Sequence, residues 1–162
     1  MVDKPVQTIS ESLLEAYSLT WDMIRDAIVN IHGEHWRTGE IEYLTLSRLV
    51  LHVLEAADYY SNPSPDVYQI RFKIDRKSSL LEQLPTNEQL KAYLEEVQEK
   101  TALWLKGMKN SDLLSPETEY TWTGSTMLGR ALYLLAHCRQ HLGEVNAELR
   151  RRGLPRIKWR TF

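Results

Sequence analysis

Apolar residues recur along much of this chain at alternating steps of three and four. Leu14, Tyr17, Trp21, Ile24, Ile28 and Ile31 set the pattern. That period lays one apolar stripe along an α-helix, and no segment carries a strong alternating strand signal. Thr8 opens this first helix, with Glu11 at the capping-box spacing, and Gly33 is the expected terminator. A second helix starts near Thr45 or Ser47 and directs Leu49, His52, Val53, Ala56 and Tyr60 inward. Asn62-Pro63-Ser64-Pro65 ends it, because proline cannot continue the hydrogen-bond ladder.

Thr86 and Gln89 form the capping-box signature of a third helix, whose stripe is Leu90, Leu94, Val97, Thr101, Trp104 and Met108. The fourth starts at Ser125 or Thr126 and runs through Met127, Ala131, Leu134, Cys138, Val145 and Leu149. Gly153-Leu154-Pro155 stops it. Four amphipathic helices imply an all-α fold, a four-helix bundle of up-and-down or crossover type. A single domain over residues 1–162 suits this length. Two long connections, 62–85 and roughly 109–124, leave the spatial order of the helices open. The first is expected to hold a short helix around Leu80, Leu81 and Leu84; the second contains Pro116, Tyr120 and Trp122. Long connections in a compact domain often border a functional site.

Charge excludes some functions. The formal net charge of −2 leaves no electrostatic footprint for nucleic acid. The one basic cluster, Arg150, Arg151, Arg152, Arg156, Lys158 and Arg160, is read as cations offsetting the negative end of a helix rather than as an anion patch. No apolar run reaches membrane-spanning length, and the N-terminal residues lack the apolar core of a signal peptide. The single cysteine, Cys138, excludes an internal disulfide and is expected to be a small buried hydrophobe. The expected location is cytoplasmic.

Three of the five histidines carry the chemistry. His137 and His141 stand at i and i+4, about 6 Å apart along the axis and about 40° in rotation, so one helix face presents both. His52 lies inside the apolar run Leu49-Val50-Leu51-His52-Val53-Leu54. A polar ring there needs a partner. One shared divalent ion would satisfy all three rings, and imidazole suits zinc, nickel, copper or iron(II). Taken singly, His52 also fits a core histidine bonded to an oxygen, and the pair fits a solvated seam. His32 and His35 flank Gly33 at a helix end and suggest no second metal. Di-iron chemistry is disfavoured, because no histidine has a glutamate three residues before it. The spacing runs the other way, as His52-x-x-Glu55 and His141-x-x-Glu144, so Glu55 and Glu144 are candidates to orient a ring or carry a proton. For Glu55 plain solvation is the better reading. Trp122 and Tyr120 are candidates to line a substrate pocket, with packing against the end of the bundle equally weighted.

Leu49-Val50-Leu51-His52, Leu135-Ala136-His137-Cys138-Arg139-Gln140-His141-Leu142-Gly143-Glu144 and the closing Arg152-Gly153-Leu154-Pro155 resemble the DinB/YfiT-like superfamily of metal-dependent proteins. The resemblance extends to the helix order and covers nearly the whole chain. It implies a four-helix bundle with a nickel- or zinc-type site at one end of a pocket, and homodimers are common in that family. It also implies thiol-dependent transfer or isomerisation, and no DNA binding despite the family's name. Many such proteins have glutamine where this chain has Glu144, which leaves the reaction more open than the site. The expected function is a metal-dependent hydrolase or low-molecular-weight-thiol transferase acting on a small molecule. Iron or manganese are the secondary metal candidates. The rivals are a non-catalytic metal- or ligand-binding bundle and a metal-free scaffold.

Overall fold

The computed structural model describes residues 7–31, 33–38, 45–72 and 84–161. Six α-helices stand among these residues: α1 (Ile9–Asn30), α2 (Glu34–Arg37), α3 (Leu46–Tyr60), α4 (Asn87–Leu105), α5 (Asn110–Leu113) and α6 (Met127–Arg151). The all-helical expectation holds. The expected four helices are the long ones, and the one-turn helices α2 and α5 are additions that sequence periodicity does not reveal. The short helix expected around Leu80 and Leu81 falls outside the described residues; Leu84 is described, is buried, and is not helical. His32 also lies outside them. None of the helices described is long and apolar enough to cross a membrane.

Local chemistry sets the helix ends. Thr8 and Thr86 each accept a hydrogen bond from the backbone three residues on, at 3.2 and 3.3 Å. Glu11 and Gln89 reach back to the Thr8 and Thr86 amides at 2.7 and 2.9 Å, completing both capping boxes. Thr126 caps α6 by accepting from the Gly129 amide at 3.1 Å. At the far end Gly153 takes φ +69°, and the Leu154 and Gly153 amides donate to Leu149 and Arg150 carbonyls. That is the two-bond Schellman closure that glycine permits. Helix α1 ends one turn before Gly33, at Asn30, and Gly33 instead precedes α2 with φ +54°.

The long helices pack in adjacent pairs: α1 on α4 and α6, and α3 on α4 and α6. Between them lies one core, in which Tyr17, Trp21, Ile24, Ile28, Leu54, Leu90, Leu94, Leu134 and Leu142 are buried. Leu13, not Leu14, leads the α1 stripe into that core. Polar bonds pin the pairs. The Tyr17 hydroxyl donates to the Ala131 carbonyl at 2.6 Å, tying α1 to α6. Tyr93 donates to Asp58 at 2.8 Å, and Lys100 pairs with the same carboxylate, tying α4 to α3.

Residues 109–124 are held against the long helices by a buried ion pair. Arg130 and Glu117 face each other at 3.3 Å with side chains only 2% and 1% exposed. The guanidinium also lies over the rings of Trp104 and Tyr120, at 4.5 and 4.6 Å. Glu117 accepts from the Glu119 and Tyr120 amides at 2.9 and 3.0 Å, so one carboxylate orders the turn and neutralises the arginine. Behind it Gly124 and Gly129 touch: a Cβ on Gly124 would stand 3.1 Å from the Gly129 Cα. Only glycine allows the chain to enter α6 this closely, and φ +144° at Gly124 requires it as well.

Three arginines of the basic cluster pair with carboxylates on α6 and α1. Arg151 and Arg152 donate to the buried Glu148 at 2.8 and 2.6 Å, and Arg160 pairs with Asp26 at 2.7 Å. These arginine hydrogen bonds, led by Arg151, hold the Glu148 carboxyl down to about 2.

Two outcomes follow. Glu117→Gln leaves a buried guanidinium without its counter-charge and should destabilise by about 3 kcal/mol in denaturant unfolding, whereas Glu117→Gln with Arg130→Met should recover much of that loss. Glu148 is ionised more readily in the folded chain than in the unfolded one. Its stabilisation is therefore complete above the ordinary carboxylate range near 4.5 and is lost as pH falls toward 2. Glu148→Gln should flatten the acid limb of the stability–pH curve and lower stability at pH 7 by about 2 kcal/mol.

Candidate metal centre

The site is built where α3 faces α6. Tyr60 meets Tyr133 with ring centroids 5.3 Å apart, while His52, two turns earlier, meets His137 and His141 at 5.0 and 4.7 Å. The two helices therefore run in opposite directions, and one residue of α3 reaches two turns of α6. The His137 and His141 rings stand 4.5 Å apart, as their i, i+4 spacing requires.

The three histidines converge. Each offers a ring nitrogen, and those nitrogens all lie within 4.8 Å of one another. An ion about 2.1 Å from each of three imidazole nitrogens would hold them roughly 3–3.5 Å apart. The nitrogens would have to close to that spacing for one ion to touch all three. His137 supplies the more telling sign: its Nε2 is buried and has no hydrogen-bond partner. Buried polar atoms are seldom left so, and a bound ion is one partner that fits. Burial, followed by the neighbouring His141, pulls the His137 pKa below its ordinary value. That favours the neutral ring, which is the ligating form.

Glu144 sits against the triad. Its carboxylate lies 2.6 Å from His141 Nδ1, which leaves Nε2 as the ligating nitrogen of that ring. Tyr133 stacks on His137, at 6.3 Å and an interplanar angle of 15°. Tyr133 carries no metal-ligand signature in sequence, yet it stands one turn before His137, so helical spacing alone would have found it.

His52 is placed differently from the expectation. It is exposed, while His137 and His141 are half-buried. The run around it packs Leu46, Leu49, Val50, Leu51, Val53, Leu54 and Ala57 into the interior, a broad arc of the helix. His52 lies on the remaining arc with Arg48 and Glu55, at i, i−4 and i+3. The three together line a cavity of about 420 Å³. His141 and Glu144 complete its polar side, and Leu49, Leu51, Ile70, Phe72 and Leu84 form its apolar side. Glu55 is thus half-buried at the cavity wall.

Tyr120 and Trp122 lie outside this wall. Tyr120 is fully buried under Arg130 and donates its hydroxyl to the Tyr59 carbonyl at 2.8 Å. Trp122 is 55% exposed, and its indole N–H donates to the Tyr60 hydroxyl at 3.1 Å. The cavity draws instead on the 62–85 connection, through Ile70, Phe72 and Leu84. Cys138 is buried, and burial pushes its thiol up to about 12, so it offers no thiolate nucleophile at neutral pH. The His35 carbonyl accepts from Arg152 at 2.8 Å.

Compared with family models, with curated proteins and with solved structures, the chain matches none.

Proposed function

We propose that the chain is a metal-dependent enzyme, with a divalent ion held by His52, His137 and His141 in a four-helix bundle of α1, α3, α4 and α6. The observation that carries this reading is the convergence of three imidazoles, two of them on the wall of a cavity large enough for a small molecule. A purely structural ion would be expected to have its ligand sphere closed by protein, whereas three ligands beside a cavity leave room for substrate. The resemblance to the DinB/YfiT-like superfamily belongs to this proposal, as do nickel or zinc as the first metals to test.

A divalent ion on three neutral histidines supplies Lewis-acid chemistry, lowering the pKa of a water or thiol that it holds. The chain's own residues supply the rest. Glu144 fixes the orientation and tautomer of His141. Glu55 stands one turn from His52 at the cavity wall, placed to take up or return a proton. Leu49, Leu51, Ile70, Phe72 and Leu84 give the cavity its apolar lining. Hydrolysis and thiol transfer use this same set. A non-catalytic metal-binding protein is the second reading, since three converging histidines can hold an ion without turning over a substrate.

Tag-free protein should retain about one divalent ion per chain, and that ion should raise the melting temperature by mass action. His137→Ala should abolish both effects, together with any metal-dependent turnover of ester or thiol-acceptor substrates. Loaded protein inactive on both substrate classes would leave the non-catalytic reading. Glu144→Gln should lower metal affinity about 10- to 100-fold without unfolding the chain. Equal affinity in a competition titration would remove Glu144 from its orienting role.

A further inference from the structure

Trp122 stands out in solvent and is nevertheless tied down. Its ring meets that of Tyr120 at 5.7 Å, and its indole N–H is committed to the Tyr60 hydroxyl. Tyr60 has Tyr59 and Tyr120 beside it, with ring centroids at 5.0 and 5.5 Å, and Tyr133 at 5.3 Å. Tyr133 in turn lies against His137. The rings form an unbroken series from Trp122 through Tyr60 and Tyr133 to His137. The 109–124 connection, α3 and α6 each contribute to it.

His137 needs a constraint from outside its own side chain. The last torsion of a histidine is broad, so the backbone does not set the plane of the ring. Ligating histidines are ordinarily held through their second nitrogen, as Glu144 holds His141. The support at His137 is of another kind: Tyr133 lies almost parallel to it, at 15°, with the offset of a stacked pair. Turning the imidazole out of that plane drives its edge into the phenol face. Tyr133 is itself 38% exposed, so it holds His137 only as firmly as it is held. Tyr60 meets it nearly edge-on, at 68°. Burial, above all, pushes the Tyr60 hydroxyl up to about 12, so at neutral pH it stays an uncharged acceptor for the Trp122 indole N–H.

We infer that Trp122, Tyr60 and Tyr133 form an aromatic strut that fixes the plane of His137 for metal binding, with Tyr133 as the positioning residue and Trp122 as its remote anchor. The strut rests on the metal reading above and deepens it. Two ligands on one helix are then oriented by different means, His141 by a carboxylate and His137 by a stacked ring. The affinity of the triad depends on a surface tryptophan separated from the nearest ligand by two other rings. A well-placed aromatic pair is worth about 2- to 10-fold in an equilibrium, which sets the size of the effect.

The test titrates the full chain with cobalt(II) against a competing chelator, and follows the melting temperature of the metal-free chain alongside. Tyr133→Ala should weaken cobalt binding about ten-fold and alter the visible spectrum of the bound ion, whereas Tyr133→Phe, which keeps the ring, should bind within about two-fold of the wild type. Trp122→Phe and Tyr60→Phe each remove the hydrogen bond and spare the rings. Each should weaken binding about two- to five-fold. The double variant should bind no more weakly than Tyr60→Phe alone, because both changes break one interaction. Trp122 is at the surface, so Trp122→Phe reads the strut even where Tyr133→Ala does not fold. A purely structural role would lower the melting temperature and leave cobalt affinity and spectrum as in the wild type. That result for Tyr133→Ala, wild-type affinity in Trp122→Phe, or additive losses in the double variant would each overturn the strut while the metal site stands. Absence of a three-histidine cobalt spectrum in the wild type would overturn the metal reading and the strut together.

Discussion

Packing of α3 against α6 in opposite directions is the contact from which the site follows. A single residue of one helix can then face two successive turns of the other, which is how His52 comes to meet both His137 and His141. The same register brings Tyr60 to Tyr133 and sets the aromatic floor under His137. A shift of α3 by one helical turn, about 5.4 Å, would dissolve all of these contacts at once. Register therefore needs independent support. It comes from the core residues of both helices and from α4, whose Tyr93 and Lys100 hold Asp58 on α3. Further support comes from the buried Arg130, which extends from α6 under the 109–124 connection.

Much of this was legible in the residues. The capping boxes at Thr8 and Thr86 and the glycine closure at Gly153 depend on short-range geometry that a sequence states directly. The i, i+4 pair on α6 is of the same kind. The side of α3 on which His52 lies was not legible, because the helix is apolar over so wide an arc that its stripe has no sharp edge. Periodicity placed His52 inward; packing placed it beside the cavity with Arg48 and Glu55. The buried ring nitrogen belongs to His137 and not to the exposed His52, yet the three rings still converge.

The Arg130–Glu117 pair escaped for a different reason. A charged residue on a helix is ordinarily solvated, and nothing local marks Arg130 as the exception. Its burial depends on Trp104, Tyr120 and Glu117, which come from two other parts of the chain. That pair also commits the buried Tyr120 ring to covering a guanidinium. The one-turn helices α2 and α5 were invisible to periodicity too, since a single turn has no repeat to detect and forms only where its surroundings hold it.

Within the triad the three rings are not equivalent. His52 is exposed and can exchange its hydrogen bonds with water. His141 has Glu144 at Nδ1. His137 alone keeps a buried nitrogen without a partner, and an unmade bond of that kind costs about 1–3 kcal/mol. The energetic pressure toward a fourth participant is therefore concentrated at His137, while the route by which it can arrive runs past the exposed His52. A buried nitrogen and an accessible one are complementary features for the ion site proposed here. Glu144 adds the third element, a fixed tautomer, so that the ring it holds presents its remaining nitrogen toward the other two. The arrangement stores its cost in one residue and its access in another, and α3 and α6 need only stay in register for the two to act together.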